Sequence, residues 1–199
     1  MRRILLLSGA LCALFPLAAS SPQEKGKAVP ASMDDMMAAW KKAGAVNENH
    51  RLLEPLAGEW TETTKMYMDP SAPPMESTGT YSGRMIFGGR FLAMEHRGKM
   101  MEEPMEGRMT LGYDNLKKRY VSTWIDSMST GIYVSEGTYD AGTKTLTLTG
   151  EMDDPMTGGK TKYRGVWRVG EKDRTYFEWY DTREGKETKS WETVYTRKK

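Results

Sequence analysis

The stretch Leu52-Leu53-Glu54-Pro55-Leu56-Ala57-Gly58-Glu59-Trp60 decides how the rest of the chain is read. Leu52 to Glu54 read as the last turn of a helix, and Pro55 removes a backbone N–H that a further turn would use. Gly58-Glu59-Trp60 then opens an extended run. Upstream, apolar residues recur every three or four positions; downstream they recur every two. A tryptophan at that junction is placed to plug the closed end of a β-barrel built from everything that follows.

Ten runs of strand character come after it. They span Glu59 to Met68, Glu76 to Phe87, Arg90 to Lys99, Met105 to Tyr113, Arg119 to Asp126, Gly131 to Tyr139, Thr143 to Met152, Thr161 to Val169, Arg174 to Thr182 and Glu187 to Arg197. Each is rich in Thr, Tyr, Val, Trp or Phe. The breaks hold turn formers such as Gly88-Gly89, Asp114-Asn115, Asp140-Ala141-Gly142, Gly170 and Glu184-Gly185. Short connections imply hairpin after hairpin, and no helix-length segment remains for parallel crossovers. A flat meander of that length would expose its edges, so closure into an all-β, antiparallel up-and-down barrel is favoured over a sandwich.

Upstream, Ser32 caps a helix through Lys42, ended by Gly44, with Met33, Met36, Met37 and Trp40 on one face. A second short helix is expected from Asn47 to Glu54. At the start, Arg2 and Arg3 precede an apolar run that ends in small residues before Ser20-Ser21-Pro22, the pattern of a secretory signal peptide. The run is shorter than the roughly 20 residues a membrane span needs, and Pro16 interrupts it. The expected organisation is a signal peptide over 1–20, a flexible leader with a short helix over 21–45, and the barrel domain over 46–199. Cleavage is expected between Ala18 and Pro22, giving a periplasmic or secreted protein with no membrane span in its mature part. The one cysteine, Cys12, lies in the signal segment, so no disulfide is expected. Without Arg2 and Arg3 the 29 basic residues become 27, equal to the 27 acidic ones. That balance gives no electrostatic reason for a nucleic-acid partner. Oligomeric state is not readable from the sequence.

The chain resembles the bacterial family of unknown function numbered 1579 (DUF1579) from about Asn47 to Arg197. The resemblance rests on His50-Arg51-Leu52-Leu53, Leu56-Ala57-Gly58-Glu59-Trp60 and Asp69-Pro70-Ser71-Ala72-Pro73-Pro74-Met75. It continues in Gly88-Gly89-Arg90-Phe91-Leu92, Gly112-Tyr113-Asp114-Asn115, Trp124-Ile125-Asp126-Ser127, Glu136-Gly137-Thr138-Tyr139-Asp140 and Leu146 to Gly158. The resemblance implies a calycin-like barrel and no established activity. Gly58-Glu59-Trp60 also looks like the Gly-X-Trp that opens the first strand of lipocalins. There a basic residue from the last strand stacks on the tryptophan, a part Arg197 could play here. Gly58, Trp60 and Arg197 thus form the expected barrel floor.

The cavity candidates are Trp124 and Asp126, which share one face at period two, with Glu95 and Tyr67. The competing reading of Trp124 to Gly131 is a packed strand end and a hydrogen-bonded turn. Of the two histidines, His50 reads as a cap or packing group. His96 is the one position for haem or metal, since some calycin-like barrels bind haem through a single histidine, but nothing around it strengthens that reading. Met66, Met68, Met100, Met101, Met105, Met152 and Met156 could offer soft ligands to copper. Their scattered spacing fits apolar filler or pocket lining better. No catalytic triad, zinc site or phosphate loop is present in the sequence, and no cofactor is expected. The acid pairs Glu102-Glu103 and Asp153-Asp154 read as solvated turns.

The expected function is to hold a small apolar or amphipathic molecule in the barrel. The alternatives are an enzyme acting on such a molecule, with Asp126 or Glu95 as general base, and a structural envelope protein with a filled interior.

Overall fold

The computed structural model describes residues 32–69, 71–155, 157–169 and 172–199. The expected signal segment and most of the leader lie outside the described residues, as do Met156 and the turn at Gly170. Ten strands follow the two helices: β1 (Gly58–Met66), β2 (Met75–Ile86), β3 (Phe91–Met100), β4 (Glu103–Asp114) and β5 (Arg119–Asp126). The second half is β6 (Tyr133–Asp140), β7 (Thr145–Asp153), β8 (Lys160–Arg168), β9 (Arg174–Arg183) and β10 (Lys186–Arg197). Each strand pairs with its sequence neighbours and β1 pairs with β10, which closes the barrel. All pairings are antiparallel. Closure leaves no unpaired edge to template aggregation.

Helix α1 spans Met33–Ala43 and is capped as its sequence dictates. Ser32 Oγ accepts from the Asp35 N–H at 3.1 Å, and the Gly44 N–H donates to the Trp40 carbonyl. Asp34 and Asp35 lie in the first turn and Lys41 and Lys42 in the last, matched to the helix dipole. No residue of α1 is buried. Met33 is 67% and Trp40 69% exposed, so its apolar face has no partner in the barrel. Its C-terminal end is nevertheless tethered. Asn115 Nδ2 donates to the Ala43 and Ala45 carbonyls, and Arg90 Nε donates to Gly44 O, each at 2.8 Å.

The second helix is shorter than Asn47 to Glu54 would make it. Helix α2 covers Glu48–Arg51, and a separate 3₁₀ turn covers Glu54–Leu56. Pro55 accounts for the division, because it cannot donate to a carbonyl one turn back. Asn47 and His50 form a reciprocal capping box at the start of α2. Burial pushes the His50 imidazole below its usual range, and its ring meets Tyr113 edge-on.

Leu53 and Leu56 from this segment enter the barrel end and are buried with Trp60, Leu92, Leu111 and Leu146. Trp60 is 0% exposed. The Arg197 guanidinium lies 4.0 Å from the Trp60 ring centroid. Its nitrogens also donate to the carbonyls of Lys172, Ala57 and Pro55 at 2.7, 2.8 and 2.8 Å. One side chain therefore ties β10 to the 3₁₀ turn and the β8–β9 connection. Gly58 sits at φ +122, and a Cβ there would collide with Arg197 Nη1. The glycine of the opening motif is needed both for its backbone angle and for the arginine to reach past it.

Candidate functional site

Six positions stand opposite one another across adjacent strands: Arg197, Trp60, Tyr81, His96, Gly107 and Asp126. Because the strands of a closed barrel tilt, a row of directly opposed residues climbs the wall. This one begins at the floor and ends at Asp126, the last residue of β5. Tyr81 marks the top of the floor: its hydroxyl contacts Leu56 O and Met94 Sδ, both at 2.7 Å. Burial pushes its phenol far up, outweighing the nearby Arg197 charge.

Above Tyr81 the interior opens into a cavity of about 270 Å³. Trp124, Trp167, Trp179 and Trp191 line it together with Met66, Met94, Met100, Met105, Met109 and Met152. Tyr163, Trp179 and Trp191 stack in sequence, at centroid distances of 4.4 and 4.7 Å. That wall is apolar, planar and held by neighbouring strands. The methionines bring long, soft side chains that can follow the outline of a guest.

Several polar groups of the lining are held by neighbouring side chains. Glu62, on β1, is buried with 4% of its side chain exposed, and His96 Nδ1 lies 2.8 Å from its Oε1. An ionised carboxylate only accepts hydrogen bonds, so in that state Nδ1 carries the proton. Among the described residues His96 Nε2 has no hydrogen-bond partner. Burial, with the Glu62 charge beside it, pushes the Tyr195 phenol well up. Two mid-strand glycines clear the seat of the pair. A Cβ on Gly79 would collide with Glu62 Oε1 and lie 2.7 Å from Arg97 O, and one on Gly98 would lie 3.0 Å from His96 Nε2. A third, Gly107, lies beneath the Trp124 ring, which a Cβ would strike. Glycine inside a strand weakens it, and here it yields room for larger groups.

On the other side of Trp124, Asp126 Oδ2 accepts from the indole N–H at 2.7 Å, and Oδ1 accepts from Met128 N at 3.0 Å. Asp126 therefore both holds the turn and lines the cavity. Deeper in, Ser122 and Ser135 share a 2.6 Å hydrogen bond. Asp181 fixes Trp179 in the way Asp126 fixes Trp124, accepting from its indole N–H at 2.8 Å.

Of the sequence candidates, Trp124, Asp126 and His96 come together at the cavity. Glu95 does not. It lies on the outer face of β3, 42% exposed, with Arg108 3.7 Å away. Strand alternation decides this, since its neighbours Met94 and His96 turn inward. Tyr67 also lies outside: β1 ends at Met66, and the Tyr67 hydroxyl donates to Glu192 at 2.9 Å. Of the methionines, Met68 and Met101 are exposed. Asp153 is exposed as expected, but Asp154 is buried, accepting from Thr161 at 3.1 Å. Glu62 was not evident in the sequence, though glycines at 79 and 98 inside strands signal a close approach by some other group. Among the described residues no three His, Cys, Asp or Glu side chains are grouped to hold a metal ion. No helix among them is long and apolar enough to cross a membrane.

Residues 45–197 match the family described as protein of unknown function DUF1579, and the chain belongs to that family. No curated protein matches the chain. Among solved structures, Rv2717c from M. tuberculosis has a similar fold, with a TM-score of 0.55 at 15% identity. The likeness covers 78% of this chain and 100% of that one.

Proposed function

We propose that this is an exported binding protein that holds a small apolar or amphipathic molecule in the upper half of its barrel. The supporting observation is the cavity itself: about 270 Å³ of open space between an aromatic and methionine wall and a few anchored polar groups. Ligand pockets run from about 300 to 1,000 Å³, so the occupant is small. Export rests on the Arg2-Arg3 start, the apolar run and the small residues before Pro22.

The test is native mass spectrometry of the full-length gene product, expressed in a Gram-negative host and released gently from the periplasm. A discrete added mass, lost on organic extraction, is expected on a chain shortened near residue 20. A chain retaining Met1 in the cytoplasm would overturn export. Protein free of added mass from every preparation, with no small amphiphile binding it afterwards, would overturn the binding role and favour a purely structural barrel.

A further inference from the structure

The cavity has a sign. Apart from Lys99, which reaches Glu102 at 3.8 Å and is 58% exposed, its charged lining groups are Glu62, Asp126 and the imidazole of His96. Acidic side chains outnumber lysine and arginine in the lining, Glu62 and Asp126 against Lys99 alone. No arginine lines the cavity to receive a carboxylate or phosphate.

The two acidic groups flank an aromatic face. His96 and Asp126 both stand opposite Gly107, one on each side of β4. Trp124 lies over Gly107, its ring centroid 6.3 Å from that of His96. Asp126 holds the indole in place through its N–H. A cation over the face of a tryptophan is attracted by the ring quadrupole, most strongly where water is excluded. Here the attraction would add to that of Asp126 on one side and of Glu62, behind His96, on the other, and with the imidazole proton on Nδ1 toward Glu62 the His96 Nε2 can accept a hydrogen bond.

Resting on the binding role above, we propose that the ligand is a cationic amphiphile: an amine carried on an aromatic or apolar body. Its nitrogen sits over Trp124 between the Glu62–His96 pair and Asp126, and its body lies against Trp179 and Trp191. Fatty acids and other anionic amphiphiles are disfavoured. Their head group would enter beside a buried carboxylate with no guanidinium to receive it.

The test compares three probes of one shape at pH 7 by titration calorimetry on the mature protein: 1-naphthylmethylamine, 1-naphthalenemethanol and 1-naphthoic acid. The amine is expected to bind about tenfold more tightly than the alcohol, and the acid more weakly than either. Asp126→Asn keeps an acceptor for the Trp124 indole. It should remove most of the amine's advantage and leave the alcohol within about twofold. Glu62→Gln serves the same comparison if Asp126→Asn fails to fold. Alcohol binding without an amine preference, or the acid binding best, overturns the cationic ligand and leaves the binding role standing. Binding of none of the three overturns both.

Discussion

The two halves of this barrel are built by the same ten strands and do opposite things with their inward-facing side chains. In the lower half, Trp60, Leu53, Leu56, Leu92 and Leu111 fill the space, and Arg197 spends its hydrogen bonds on backbone carbonyls. In the upper half, Trp124, Trp179 and six methionines stand around open space, with carboxylates held in place by indole and imidazole N–H groups. The row from Arg197 to Asp126 passes through both. Its lower members close the barrel and its upper members, His96 and Asp126, line the cavity.

The largest effect should come from Trp60→Ala. Emptying a fully buried tryptophan site costs about 3–5 kcal/mol, a large share of the stability of an ordinary domain. The urea midpoint should fall sharply, and a midpoint unchanged would break the assignment of Trp60 as the plug. Next comes Gly79→Ala, which drives a Cβ against Glu62 and into the Arg97 carbonyl. A loss of about 1–3 kcal/mol is expected, together with displacement of His96 from its carboxylate. The imidazole's ¹⁵N chemical shifts would report that displacement.

Trp124→Ala should invert the pattern of Trp60→Ala. Its ring borders open space, so removal should cost under about 2 kcal/mol in stability while abolishing binding of a naphthyl probe. If both tryptophan variants lost stability equally, the contrast between the halves would fail. The smallest effect concerns His50. Its folded-state pKa is lowered by burial, so below the unfolded value of about 6.5 the unfolded chain binds a proton that the native one resists. Its contribution is therefore full above that pH and is lost as pH falls toward the folded value. A His50→Asn variant should show a shallower decline in thermal midpoint as pH falls below about 6.5 than the natural protein.

Much of the lower half was legible in the sequence. The change of period at Pro55, the Gly-Glu-Trp motif and a basic residue at the end of the last strand all have local signatures. The ten strands were legible for the same reason, through alternation and turn residues. The upper half was less so. An inward Glu62 and an outward Glu95 look alike in sequence, because a barrel wet on both faces alternates polar and apolar residues without marking which face is inside. Asp126 and Trp124 were recoverable from their shared face, whereas the expected first strand ran two residues past its observed end at Met66 and so took in Tyr67. Gly79 and Gly98 lie inside strands, and what they make room for depends on a register that the sequence does not state.

The most direct measurement is a crystal structure of the protein purified natively and never exposed to denaturant or organic solvent. Density for a non-protein molecule against Trp124 and above Tyr81, with the floor around Trp60 and Arg197 unchanged, is the expected result. An upper half collapsed onto itself or filled only by water, in protein that also fails to bind amphiphiles, would contradict the division of the barrel into a sealed floor and a receptive mouth.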